Sequence, residues 1–193
     1  MNRKSFDKIA SVIGLLLAGF LIILGGILQF GGNFAADQVA TQLKPQAITI
    51  PADNGDPKAT ADVKKFFADN ANVVMTTGKQ AQMYADHYIG FHLSKMPTYA
   101  AASTAVRSTA AAAAADPTNA DLQLASAKAA ATVETVFKGQ SLRGMLLNAY
   151  AFWELGQIAL ISAGVALLGA ILLLLLSIAG LIHLRRTHED ATI

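Results

Sequence analysis

The chain contains no cysteine. That absence excludes disulfides, thiolate zinc sites, a lipid-modified cysteine anchor and a cysteine nucleophile. Charge is the second shortage: Asp, Glu, Lys and Arg make up 15% of the 193 residues, against about a quarter in an ordinary soluble domain. Catalytic signatures are missing as well. There is no GxSxG elbow, and Ser5 to Lys8 matches SxxK without an SDN or KTG companion. "TTGKQ" lacks the upstream glycine of a phosphate loop. No proline follows Pro117, so nothing of that kind interrupts a helix in the last third of the chain.

What fills the space is apolar. Hydrophobic residues reach 53% and concentrate in two blocks, "IASVIGLLLAGFLIILGGILQF" and "IALISAGVALLGAILLLLLSIAGLI", neither carrying a charge. Each exceeds the ~20 residues that cross a hydrocarbon core as a helix. The first is long for a signal-peptide core and is followed by no clean small-x-small cleavage site, so it reads as an uncleaved anchor. Arg3, Lys4 and Lys8 flank the first block and Arg185 and Arg186 the second, which predicts both termini in the cytoplasm. The expected order is a cytoplasmic start (1–8), a first span (9–30), an extracytoplasmic helical domain (31–156), a second span (157–183) and a cytoplasmic tail (184–193) that carries His188.

From Asp37 to Tyr150 ten Lys and Arg face nine Asp and Glu, a balance with no electrostatic footprint for nucleic acid. "AITIP" and "NVVMT" read as short extended runs, too few for a sheet, so the fold class is all-α. "ADNGDP" is a turn, with Asp56 expected to cap a helix that begins at Pro57. Thr77 and Gln80 form a capping box that opens a helix to about Lys95. An alanine-rich helix follows, ended by Asp116-Pro117. The next helix, about 118–137, carries a seam of Leu122, Ala129 and Val136 with Ala125 and Val133 between them. From Ser141 onward one helix is expected to stand out of the bilayer and continue through the second span to Arg186, with Tyr150 and Trp153 in the interfacial belt. The outer domain then holds about four helices, the last continuous with the second span, and "GGNF" is expected to join the first span to it more loosely.

Two of the four histidines fall in "QMYADHYIGFHLSKM". At ~100° per residue Asp86, His87 and His92 diverge, so no metal site is expected there, and no cofactor is implied elsewhere. The same spacing predicts a face of Tyr84, His87, Tyr88 and Phe91 with Lys95. With Trp153, the first four are the candidates for holding an apolar or lipid-like ligand. In the spans, Ala10, Gly14 and Ala18 and then Ser162, Ala166 and Ala170 recur every four residues, a spacing of small side chains that lets helices approach. Gln29 with Glu154 and Gln157 is expected to form a polar contact between the spans.

The segments "VVMTTGKQAQMYADHYIGFHL", "TYAAAS" and "VFKGQSLRGMLLNAYAFWELG", with a span on either side, resemble an uncharacterised family of two-span membrane proteins of actinobacteria. The resemblance implies architecture and lineage, with no established activity. Some relatives carry an aromatic ring-opening dioxygenase label, which the divergent histidines argue against. The function expected from the sequence is non-enzymatic: an oligomerising scaffold or accessory subunit, with membrane lipid and further copies or subunits as its partners. The alternative is a binding module for an apolar or lipid-like ligand at the outer membrane surface.

Overall fold

The computed structural model describes residues 3–186; the end of the expected cytoplasmic tail, 187–193 with His188, lies outside the described residues. The chain is all-helical: α1 (Arg3–Leu43), a 3₁₀ turn (Lys44–Gln46), α2 (Ala61–Asp69), α3 (Gly78–Met83), a π-helical turn (Tyr84–Ile89), α4 (Gly90–Ser94), α5 (Tyr99–Ala115) and α6 (Ala120–Arg186). Among the described residues the only β pairing is an isolated antiparallel bridge between Thr49 and Val74, where the two expected extended runs meet. Two helices, α1 and α6, are long and apolar enough to cross a membrane.

Both long helices run further than the sequence suggested. "GGNF" is no loose link, because α1 passes through it without a break. Gly32 is buried there, and a Cβ added to it would lie 2.7 Å from the Gly156 carbonyl oxygen, so the glycine permits a close helix approach and does not end the helix. The helices expected over 118–137 and from Ser141 are one helix of 67 residues. Gly139 sits inside it against the Leu93 side chain. The Asp56-Pro57 expectation also changes. Asp56 accepts from Lys58 N in a turn, and Thr60 is the true cap of α2, its hydroxyl accepting from Val63 N at 3.5 Å.

The chain divides into two compact units, Met1–Asp37 with Glu154–Ile193, and Gln38–Trp153. In the first, α1 and α6 pack antiparallel. Ser11, Gly14, Ala18, Gly25, Gly32 and Ala35 are buried on α1, with Leu21 and Leu28 half-buried between them, an alternating spacing of three and four. Gly14 faces Ser177, Gly25 faces Leu167, Gly32 faces Leu160, and Gly180 faces Ser11. This is the seven-residue repeat of a left-handed helix pair, and it corrects the four-residue stripes. Gly14, Ala18, Ala166 and Ala170 lie buried on the seam, whereas Ala10 is exposed and Ser162 is half-buried, its hydroxyl donating to Ile158 O at 2.8 Å on its own helix.

In the second unit one core cluster joins Val39, Leu43, Met75, Ala81, Ile89 and Leu146, and another joins Ile50, Val63, Phe67 and Met83. Tyr88 packs against both. The capping box at Thr77 is present as read: Gln80 N donates to the Thr77 hydroxyl at 3.2 Å and Thr77 N donates to Gln80 Oε1 at 3.1 Å. Helix α5 turns back at Asp116 to Asn119 and the chain re-enters as α6. In this stretch of α6, Val136 is buried and Leu122, Ala129 and Val133 are half-buried, while Ala125 is exposed and Ser126 takes its place on the seam.

Candidate functional site

The opening stretch of α3 is an α-helix only as far as Met83. From Tyr84 to Ile89 the turn widens to a π-helix, and the Gly90 N–H bonds to Ala85 O five residues back. Such widened turns are rare and frequently mark functional sites. Here the neighbours that meet the widened turn are visible. Asn54 is 1% exposed, and its side-chain amide donates to His87 O at 3.0 Å while its carbonyl accepts from Asp56 N at 3.2 Å. A buried backbone acceptor is thereby satisfied by a loop residue, and both halves of a buried amide are used. Gly55, with φ +78°, supplies the left-handed turn that brings Asn54 in, and its Cα side lies against Phe91 and His92.

The widened turn also redistributes the aromatic residues. Tyr84 and Tyr88 stack at 4.8 Å, and Tyr88 continues to His92 at 4.5 Å. His92 Nδ1 sits 2.7 Å from Tyr88 O. Lys95 Nζ lies 3.9 Å over the Phe91 ring, a cation–π contact. His87 joins neither the stack nor the core clusters. Of the five candidates for an apolar ligand, Tyr84, Tyr88 and Trp153 are packed against the first core cluster, and Gly78 lies directly beneath Trp153. These side chains are therefore committed to packing. Among the described residues no group of three His, Asp or Glu side chains is placed to hold a metal.

Burial, followed by the neighbouring Tyr88, raises the Tyr84 phenol above its ordinary value of 10.0. The unfolded chain then ionises first, so this packing contributes stability that is fully present below the ordinary tyrosine range and is lost as pH rises through the folded-state value. Phenolate absorbance should show a late step, and Tyr84→Phe should remove it.

Gln29 does not reach Glu154 or Gln157. It is exposed, and its amide donates to Asn33 Oδ1 at 3.4 Å one turn along the same helix, while Glu154 and Gln157 are half-buried on α6. The seam explains the miss. Gln29 follows the seam residue Leu28, so it turns away from the partner helix.

Sequence reading missed two openings in the second unit. The first is a groove of about 490 Å³ between the last turns of α1 and the middle of α6, with Val39, Leu43, Leu142, Met145, Leu146 and Phe152 on its apolar side and Gln42, Gln46 and Asn148 on its polar side. Met145 is 70% and Phe152 45% exposed. Nothing in the sequence said that α1 extends far enough to make the other wall. The second opening, also about 490 Å³, lies under the π turn and is lined by Asp86, Leu93, Met96, Tyr99, Gln140 and Arg143. Arg143 Nη2 donates to Asp86 Oδ1 at 2.8 Å across 57 residues of sequence, and Arg143 Nε is buried without an acceptor. Gly90 lies beside the guanidinium: a Cβ there would meet Arg143 Nε at an ordinary contact distance of 3.6 Å. No protein-family model matches the chain, and neither a curated protein nor a solved structure does.

Proposed function

We propose that the protein is a non-enzymatic membrane-anchored scaffold or accessory subunit, with both ends cytoplasmic, the Gln38–Trp153 unit on the outer side, and association through the groove between α1 and α6. The basic flanks at Arg3, Lys4, Lys8, Arg185 and Arg186 support that orientation. The outward faces of the helix pair support the anchor: Leu16, Phe30 and Leu176 are each about 70% exposed (70%, 74% and 69%), a surface that lipid accepts and water does not. The observation that carries the functional reading is the groove. Met145 and Phe152 leave apolar surface open on the wall of this groove, and open apolar surface of this kind marks an association site.

The cysteine-free chain makes the test direct. Met145→Cys, oxidised in its native membrane, is expected to give a disulfide-linked band at twice the 20.2 kDa of one chain, or a mixed band after a bifunctional thiol crosslinker if the neighbour is a different subunit. A chain that stays uncrosslinked in the membrane and runs as a monomer in mild detergent would overturn the reading. The same groove supports the second reading, an acyl chain of a membrane lipid as its occupant, because Val39, Leu43, Leu142, Leu146 and Ala149 give it an aliphatic stretch of wall. In that case Ala149→Trp, which fills the groove, releases phospholipid that otherwise stays bound through purification.

A further inference from the structure

We infer that the cavity beneath the π turn is a binding site for a small zwitterion of the amino-acid class, with Arg143 holding the carboxylate and Asp86 the ammonium. The inference is independent of the association groove and goes beyond it.

The argument starts from an ion pair that is incompletely used. A guanidinium offers five N–H donors in a planar fork, and its strongest match to a carboxylate is two-pronged. Here a single prong is engaged, Nη2 to Asp86 Oδ1, and the adjacent Nε is buried with no acceptor. The buried Nε is out of a ligand's reach, so an incoming carboxylate would meet the terminal Nη groups, where only one donor is taken by the protein. The pair is also reachable, since Arg143 and Asp86 side chains remain 37% and 31% exposed and both line the same opening.

Charge then selects the ligand. Asp86 and Arg143 cancel, so a simple anion meets the repulsion of Asp86 and a simple cation that of Arg143. A molecule carrying both charges on neighbouring atoms satisfies each group with its opposite. Leu93 and Met96 provide an apolar wall for a side chain, and the volume of about 490 Å³ falls within the range of small-molecule sites. Asp86 sits within the π turn, whose next carbonyl, that of His87, is held by the Asn54 amide.

The test uses the full chain in detergent and isothermal titration with three probes of one shape: L-leucine, 4-methylpentanoate, which lacks the ammonium, and isoamylamine, which lacks the carboxylate. Leucine should bind, and each single-charge analogue should bind at least about tenfold more weakly, the loss expected for one charge-assisted hydrogen bond. Arg143→Gln should abolish leucine binding. Because that change also removes the ion pair, Ser94→Trp serves as the second variant: Ser94 is exposed at the cavity rim, and the indole blocks the opening with Asp86 and Arg143 untouched. Absence of leucine binding, 4-methylpentanoate or isoamylamine binding as tightly as leucine, or unchanged binding in Ser94→Trp would each overturn the proposal.

Discussion

Replacing Phe67 by alanine is expected to destabilise the Gln38–Trp153 unit by about 3–5 kcal/mol, the range for truncating a fully buried phenylalanine. Phe67 has no exposed surface and belongs to the cluster of Ile50, Val63 and Met83, which holds α2 against the loop after the first long helix and against α3. Its neighbour Phe66 meets it edge-on at 5.6 Å but is only half-buried, so Phe66→Ala should cost distinctly less. Thermal unfolding followed by circular dichroism separates the two, with a fall in Tm of more than about 10 °C expected for Phe67→Ala. Similar losses for both variants would mean that α2 is not seated as described. The cluster also reaches Met83, one residue before the π turn, and Tyr88 within it. The Phe67 cavity is therefore expected to loosen the segment that carries Asp86, and the late Tyr84 titration step should move back toward the ordinary range.

How much of this was legible in the sequence depends on how local the cause is. The Thr77–Gln80 box was readable because cap and partner lie three residues apart and need nothing else. The two long apolar helices were readable because length and composition alone decide them. The π turn was not. Its five-residue hydrogen bond competes with the ordinary four-residue one, and the groups that meet it, Asn54 from a loop and Arg143 from a helix 57 residues away, are invisible to a local window. The aromatic face drawn at 100° per residue keeps its pairs, Tyr84 on Tyr88 and Lys95 over Phe91, but it is His92, between Tyr88 and Phe91, that joins them. The small-residue stripes lie on the seam at Gly14, Ala18, Ala166 and Ala170 and leave it at Ala10. A spacing of four tracks one ridge of a straight helix, whereas two long helices winding about each other keep contact through alternating threes and fours, so Ala10 drifts off and Ser11 takes over. "GGNF" misled because glycine both breaks helices and lets them touch. Only the position of Gly32 opposite Gly156 decides which role applies.

The register of the helix pair leads to the second large effect. A Cβ built on Gly180 lies 3.6 Å from the Ser11 Cβ, inside the window of about 3.5–4.5 Å that a disulfide requires. The double variant Ser11→Cys with Gly180→Cys is therefore expected to close almost completely on mild oxidation, giving a faster-migrating monomer on a denaturing gel that a reductant reverts. Both thiols are assignable because the chain supplies no others. Val12→Cys with Gly180→Cys should stay reduced, since Val12 is 44% exposed and points off the seam. Adding Gly14→Leu to the first pair tests the close approach itself. Gly14 faces Ser177 with no room for a side chain, so the leucine should force the helices apart and bring the crosslink down to background. A Val12 pair that closes as fast as the Ser11 pair would contradict the seven-residue seam. Because one helix follows the other antiparallel, a closed Ser11–Gly180 bond also fixes residues near the two ends of the chain at the same end of the pair, as spans with both termini on one face require.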